Sequence, residues 1–325
     1  MKFLLGHSTA LNYWRLHDRN ETQRKTRATG AFTHPPNKAV LDTLPETSGP
    51  IHFIVTDKKA HRRSEGVVCH LSSNLPRNSF LMIGKGIYVS TPEACFLQMA
   101  AEYPFAKLLK IGFELCGTYS IYDDQLIRRE PRMSTGSLYE YLSHATGCKG
   151  AKRAALIVKY LADNSASPME TALTALLCLP PHRGGYGLPQ PLLNYPIKQE
   201  HILRYCDLCW PGSKLALEYD SDAHHASPRK LNEDSFRRIQ IETTDMHVIS
   251  VTKTQLFDPN SFEQLAHVVG RYLGKRIRTN QQDHPVQQMN LRKELFLVDA
   301  VRSSVGPRVA NKLLDEQRIR SEYAR

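Results

Sequence analysis

The chain has 325 residues, 41% hydrophobic and 23% charged, an ordinary globular composition with room for two domains. Its 43 Lys and Arg against 32 Asp and Glu leave a formal net charge of +11, so a polyanion is the expected partner, because clustered cations bind phosphates by releasing condensed counterions. Membrane and secreted classes are disfavoured: the best apolar stretch, 154–162, contains Lys159, Phe3-Leu4-Leu5 is too short a run for a signal, and seven cysteines without framework spacing fit reduced thiols in a cytoplasmic protein.

Leu11, Trp14 and Arg15 at helical spacing predict a helix over 7–17, and the basic stretch 19–33, closed by His34-Pro35-Pro36, reads as a loop. Short apolar runs at 51–55, 66–71 and 86–89, bounded by polar or turn residues, read as strands. Ser90-Thr91-Pro92-Glu93 opens a helix reaching about Tyr103, since Pro suits the first helical position and Glu the first turn. A helix over 152–162 is broken by Asp163-Asn164-Ser165-Ala166, where the domain boundary is placed.

Beyond it come a helix at 168–178 and a Gly/Pro-rich connection at 180–191, whose glycines 184, 185 and 187 read as a turn. Strands at about 203–209 and 214–220, a helix at 229–242, a strand at 247–251 and a helix at 261–274 follow. The order α-β-β-α-β-α implies a mixed sheet with helices on its faces. The tail from Lys275 has eleven basic and six acidic residues and an amphipathic segment at 308–324. The expected architecture is α/β: a smaller α+β domain (1–163), a mixed-sheet domain (164–275) and a basic helical tail (276–325).

Trp210-Pro211-Gly212-Ser213 is a strong turn signal. Symmetric closure of that hairpin puts Asp207 opposite Ala216 and diagonal to Glu218. Strand alternation sets Glu218 and Asp220 on one face and Leu215, Leu217 and Tyr219 on the other. Three carboxylates projecting from one face repel unless a cation lies between them. Mg²⁺, with Mn²⁺ as a substitute, takes such oxygen ligands and activates water for phosphodiester hydrolysis. The plainer reading is a polar strand face whose acids pair with surface Lys and Arg.

Glu170 has two readings, a site acid or the third helical residue of a capping box begun by Ser167 and Pro168. His224 and His225 either serve a scissile phosphate or are loop histidines. Cys206-Asp207-Leu208-Cys209 is a lone C-x-x-C on one strand, which should lean its thiols apart, so zinc is not expected there. Asp234 and Arg238 suit a helical ion pair, and Arg237 a phosphate contact.

Ser167-Pro168-Met169-Glu170, Gly184-Gly185-Tyr186-Gly187-Leu188-Pro189, Asp207, Leu215-Ala216-Leu217-Glu218-Tyr219-Asp220-Ser221, His224, Asp234, Arg237 and Arg238 together resemble one nuclease family. It is the branch of the PD-(D/E)XK restriction-endonuclease-like superfamily related to very-short-patch-repair endonucleases, and the resemblance spans about residues 165–258. It implies Asp207 and Glu218 as metal ligands, Glu170 as the acid from the first helix, and Asp220 and His224 beside them in a site acting on DNA. Asp220 stands where many members carry a catalytic Lys, and Ser221 where this branch has Gly, which leaves the general base open.

His7-Ser8-Thr9-Ala10-Leu11, the strands at 51–71 and Ile87-Tyr88-Val89-Ser90-Thr91-Pro92-Glu93-Ala94 resemble, over about 5–120, the body of AbiEi-type antitoxins. That implies a half that binds or positions a partner, either DNA or a protein as in toxin–antitoxin pairs or a homodimer; the plainer reading is a structural domain that only buttresses the nuclease. No helix-turn-helix precedes it, so autoregulation does not carry over. The function expected is a metal-dependent endonuclease of defence, repair or mobile-element biology. The alternative is a non-catalytic DNA-binding regulator or antitoxin on a degenerate nuclease fold.

Overall fold

The computed structural model describes residues 2–18, 50–61, 66–72, 74–84, 86–199, 202–220, 246–278 and 283–296. The chain is mixed α/β and divides into two compact units, Met1–Cys116 with Arg129–Leu161, and Gly117–Arg128 with Ala162–Arg325. The division lies just ahead of the expected boundary, but the second unit also takes back residues 117–128. The predicted helix at 229–242, His224, His225, Asp234, Arg237, Arg238 and the segment 308–324 lie outside the described residues.

The first unit runs β1 (Phe3–Leu5), α1 (His7–Leu16), β2 (Ile51–Val55), β3 (Val67–Leu71), β4 (Phe80–Gly84), β5 (Ile87–Ser90), α2 (Pro92–Ala100) and α3 (Phe105–Cys116). Its sheet has the order β3-β2-β1-β5-β4. β1 pairs parallel with β5 and β2 with β3, whereas β1–β2 and β4–β5 are antiparallel. The short run read only as an inadequate signal is therefore the central strand. Phe3, Leu4 and Leu5 are all buried, as a strand covered on both faces requires.

Trp14 of α1 is fully buried, and its indole N–H donates to Ser90 O at 2.7 Å. Thr91 caps α2 by accepting from Ala94 N, and the helix ends at Ala100 rather than near Tyr103. Arg15 holds the buried Glu114 bidentately at 2.7 and 2.9 Å, so its charge is met within the unit.

The excursion to the second unit is a hairpin, β6 (Tyr119–Tyr122) and β7 (Gln125–Arg128), after which α4 (Thr135–Ser143) and α5 (Ala151–Val158) complete the first unit. The second unit continues with α6 (Pro168–Cys178), β8 (Leu192–Gln199), β9 (Ile202–Trp210), β10 (Leu215–Asp220), β11 (His247–Thr252), α7 (Lys253–Phe257), α8 (Pro259–Tyr272) and α9 (His284–Phe296).

Its sheet has the order β11-β10-β9-β8, an antiparallel meander with β11 added parallel to β10. β8 is a strand that the periodicity did not predict. Pro196 within it cannot donate to a ladder, which an edge strand tolerates. The β9–β10 register also differs from symmetric closure. Pro211–Ser213 forms a 3₁₀ turn and Lys214 turns left-handed (φ 49°), so Ala216 pairs with Cys209 instead of Asp207.

Of the expected tail, the described part beyond residue 283 is a packed helix. α9 packs against α6 and the 181–183 turn. Gly184 (φ +87°) lies so close to α9 that a Cβ there would sit 2.4 Å from Gln287 O. Leu291 and Leu295 are buried, and Arg292 is 1% exposed, donating to Leu256 O at 2.8 Å beneath the Phe262 ring. His284 Nε2 donates to Gly185 O at 3.0 Å. Ending the chain at Arg278 should therefore lower the thermal midpoint by about ten degrees, since two buried leucines alone contribute about 3–6 kcal/mol. An unchanged midpoint in a calorimetric scan would return α9 to the status of an appendage.

Candidate active site

The acids singled out in the sequence gather around the start of α6 and the two central strands. Ser167 caps α6, Pro168 takes its first position, and Ser167 Oγ accepts from Glu170 N at 3.2 Å. The Glu170 side chain turns back as a capping-box acid would. It reaches the N–H of Ala166, one residue ahead of the cap, at 2.7 Å. The same oxygen accepts from Asn194 Nδ2 at 2.8 Å, and the other accepts from Ser167 Oγ at 2.9 Å.

The segment bearing Glu170 is fixed by the returning hairpin. Thr118 N donates to Ser165 O at 2.8 Å, Arg128 Nη1 donates to Ala166 O at 2.7 Å, and Tyr119 OH meets Thr171 Oγ1 at 3.1 Å. Residues 117–128 leave the rest of their neighbourhood in sequence to make these bonds. The two readings of Glu170 thus meet in one geometry, a helix-start acid that is also delivered to the strands.

Asp207 sits where both of its ladders are interrupted. On the β8 side, Leu193 pairs with Leu208 and Tyr195 with Cys206, but Asn194 takes a left-handed φ of 46° and its side chain turns to Glu170 and Asn164 O. Asn tolerates that conformation better than most residues. On the β10 side the last pair is Leu217 with Leu208. One step beyond, the Asp207 carboxylate itself receives the N–H of Tyr219, at 2.8 Å. Continued by one step, that register sets Asp207 opposite Glu218 rather than diagonal to it.

Burial, then the charge of Asp207, pushes Glu170 up to about 7, against the lowering effect of its three donors. Glu170 is only 5% exposed, so an ionised carboxyl there meets both poor solvation and a like charge.

Glu218 lies beside the two strand cysteines, and the Cys206 thiol donates to it. Burial, then Glu218, raises both thiols, Cys209 to about 11. They share one buried cluster with Ile197, Ala216 and Val248 rather than leaning apart. All seven cysteines are free. Asp220 ends β10 opposite Thr252 of β11, half-buried like Asp207 and Glu218.

The structure therefore joins Glu170 electrostatically to Asp207 and places Glu218 on the neighbouring strand. It does not draw any three of the four acids into one tight group. Among the described residues the group of three or more His, Cys, Asp or Glu with ligand atoms within 4.8 Å of one another is His7, His52 and His70 of the first unit. His52 and His70 were not singled out in the sequence, where each is one polar residue inside an apolar run. No family model, curated protein or solved structure matches the chain.

A pH dependence follows from Glu170. Its folded pKa lies above the ordinary carboxylate value, so between about pH 4.5 and about 7 the folded chain holds a proton that the unfolded chain has lost. Stability from this group is complete below that window and is lost as the pH rises through it. Glu170→Gln should remove that part of the slope while keeping the helix start, since Gln can still accept the Ala166 N–H. Urea melts at several pH values would show it, and identical slopes in both proteins would dismiss the group.

Proposed function

We propose that the second unit is a metal-dependent endonuclease domain acting on DNA, with Glu170, Asp207, Glu218 and Asp220 as its acids and Asp207 and Glu218 holding Mg²⁺, or Mn²⁺ in its place. The observation that carries this reading is the delivery of a buried Glu170 to Asp207, where both strand ladders are interrupted. A fold gathers like charges out of water at a cost, and such arrangements concentrate at sites that bind cations or move protons.

The donor set fits a hard ion. Carboxylate oxygens are the ligands that Mg²⁺ selects, and a cation at Asp207 would relieve the repulsion that raises Glu170. When bound, such an ion supplies a polarised phosphoryl oxygen and an acidified water. The chain's own contribution is positional: Tyr219 N–H fixes one oxygen of Asp207, and Ala166 N–H, Ser167 and Asn194 fix Glu170.

The order of acids along α6, β9 and β10 agrees with the resemblance to the PD-(D/E)XK nuclease branch. The net charge of +11 suits a polyanionic substrate. Among the described residues no helix is long and apolar enough to cross a membrane.

A non-catalytic DNA-binding regulator on the same scaffold is the second reading. It is favoured by the absence, among the described residues, of any three of these acids within 4.8 Å. Plasmid incubation with Mg²⁺ or Mn²⁺ separates the two. Nicking or linearisation that falls at least a hundredfold in Asp207→Ala and in Glu218→Ala, with both variants folded, supports the nuclease. Salt-sensitive duplex binding without any cleavage supports the regulator. The binding slope should be about 0.9 per phosphate contact in a log–log plot, and a folded Arg15→Gln, Glu114→Gln double variant should leave it unchanged because Arg15 is held by Glu114.

A further inference from the structure

Three histidines distant in sequence meet at one edge region of the first unit's sheet, one from each of three adjacent strands or their ends. His7 follows β1 across Gly6, whose N–H donates to His52 O at 3.0 Å. His52 lies in β2 and His70 in β3. The register sets His52 opposite Val68 and Ile54 opposite His70, so the two histidines share a face one diagonal step apart.

The rings are in contact. His52 Nδ1 and His70 Nε2 are 2.9 Å apart, and the His7 ring stacks on His70 with centroids 3.5 Å apart. His7 Nδ1 is buried and makes no hydrogen bond. The carboxylate of Glu102 stands 3.4 Å from His70 Nδ1 and 3.9 Å from His7 Nδ1.

The backbone at His7 is held in a conformation that a histidine seldom takes, with φ 49°. Two groups of α2 secure it: Gln98 Oε1 accepts the His7 N–H at 3.1 Å, and the Cys95 thiol donates to His7 O at 3.2 Å. Strain of this kind persists only where surrounding bonds over-determine it. A buried ring nitrogen without a partner calls for an explanation, and an unbound ligand is one.

We propose that His7, His52 and His70 bind a borderline divalent ion, Zn²⁺ foremost, through one nitrogen each, leaving a fourth position for water or an oxygen ligand. Imidazole suits zinc, and three histidines with an open position are the donor set of zinc centres that bind exchangeable ligands. Nitrogens on one tetrahedral zinc stand about 3.3 Å apart, given Zn–N bonds of about 2.0–2.1 Å. The 2.9 Å pair therefore needs to open by only a few tenths of an ångström.

Glu102 favours the proton on His70 Nδ1, leaving Nε2, the atom facing His52, as the ligand, in the manner of carboxylates that orient metal-binding histidines. Burial chiefly keeps all three rings neutral at neutral pH, with His7 at about 3 and His70 at about 4. A cavity of about 500 Å³, lined in part by His7, His70, Glu102, Cys148 and Lys149, adjoins the cluster. Lys149 gives any ligand entering there a cationic neighbour, so a small anion or carboxylate is the class it suits.

The test uses the full chain, stripped with a chelator and titrated with Zn²⁺ against a chromogenic competitor, then with Co²⁺ by visible absorption. One tight equivalent is expected, with tetrahedral cobalt bands and no thiolate charge-transfer band, and it should persist in an Asp207→Asn, Glu218→Gln double variant. His52→Gln and His70→Gln should each weaken binding at least tenfold, and Glu102→Gln by about tenfold. Circular dichroism without metal checks that each variant folds. If either does not, the wild-type cobalt spectrum decides by itself. Binding equal in wild type and His70→Gln, an equivalent lost with the acids instead, or no tetrahedral cobalt spectrum would each overturn the site.

Discussion

Glu170 is a carboxyl group almost wholly withdrawn from water, and much of the second unit is arranged to make that tolerable. An unpartnered buried carboxylate costs several kcal/mol, and the usual remedies are donors, a counter-charge or a proton. Here donors come from Ala166, Ser167 and Asn194. Each has its own support: the hairpin at 117–128 fixes Ser165 and Ala166, the helix start fixes Ser167, and a left-handed turn in β8 aims Asn194. Among the described residues no lysine or arginine is a partner of Glu170, and the charge of Asp207 raises it further. A site meant only to cap α6 would need the Ala166 bond and little else. The remaining apparatus is understandable if a positive charge completes it.

The same constraint explains why the sheet is irregular at its middle. A strand with both neighbours in place has its backbone groups committed, so an acid on it ordinarily projects above or below the sheet. Asp207 instead folds into the ladder and takes the Tyr219 N–H. Regular pairing skips Asn194 on one side and ends after Leu217 on the other. The hydrophobic flanks hold the break open: Leu208, Leu215 and Leu217 are fully buried, as are Cys206, Cys209 and Ala216. Close-packed neighbours of this kind let a local defect persist where a looser sheet would slip into register.

The elements legible in the sequence were those with local signals. Ser167-Pro168 predicted the helix start at 168, and the turn at 210–213 predicted the β9–β10 hairpin, because caps and turns are written in adjacent residues. β1 was not legible, since three residues carry no periodicity and become a strand only between β2 and β5, neither of them near in sequence. β8 was hidden by Pro196, and α9 by charges such as Arg292 that end up buried against Leu256 and Phe262. The convergence of Glu170 with Asp207 depended on Asn194 adopting φ 46°, and that of His7, His52 and His70 on pairing across β1, β2 and β3. Neither has a trace within any short window of the sequence.

The two candidate centres differ in donor chemistry, and this bears on how a single chain could use both. Carboxylates in the second unit are hard donors suited to Mg²⁺, which exchanges water readily and is held weakly. Imidazoles in the first unit are borderline donors, on which zinc outcompetes magnesium by the ordinary order of divalent affinities. A cell's abundant Mg²⁺ and scarce Zn²⁺ would thus sort between the units by ligand type alone, with no need for separate delivery. The reverse exchange is less forgiving. Zinc also accepts carboxylate oxygen, so an excess could enter at Asp207 and Glu218 and hold water or substrate too tightly to turn over. Inhibition by excess zinc, set beside stabilisation by the first equivalent, is the signature that two such sites in one chain would leave. A lone acidic site would show stabilisation and inhibition together over the same zinc range, and a lone histidine site stabilisation without inhibition.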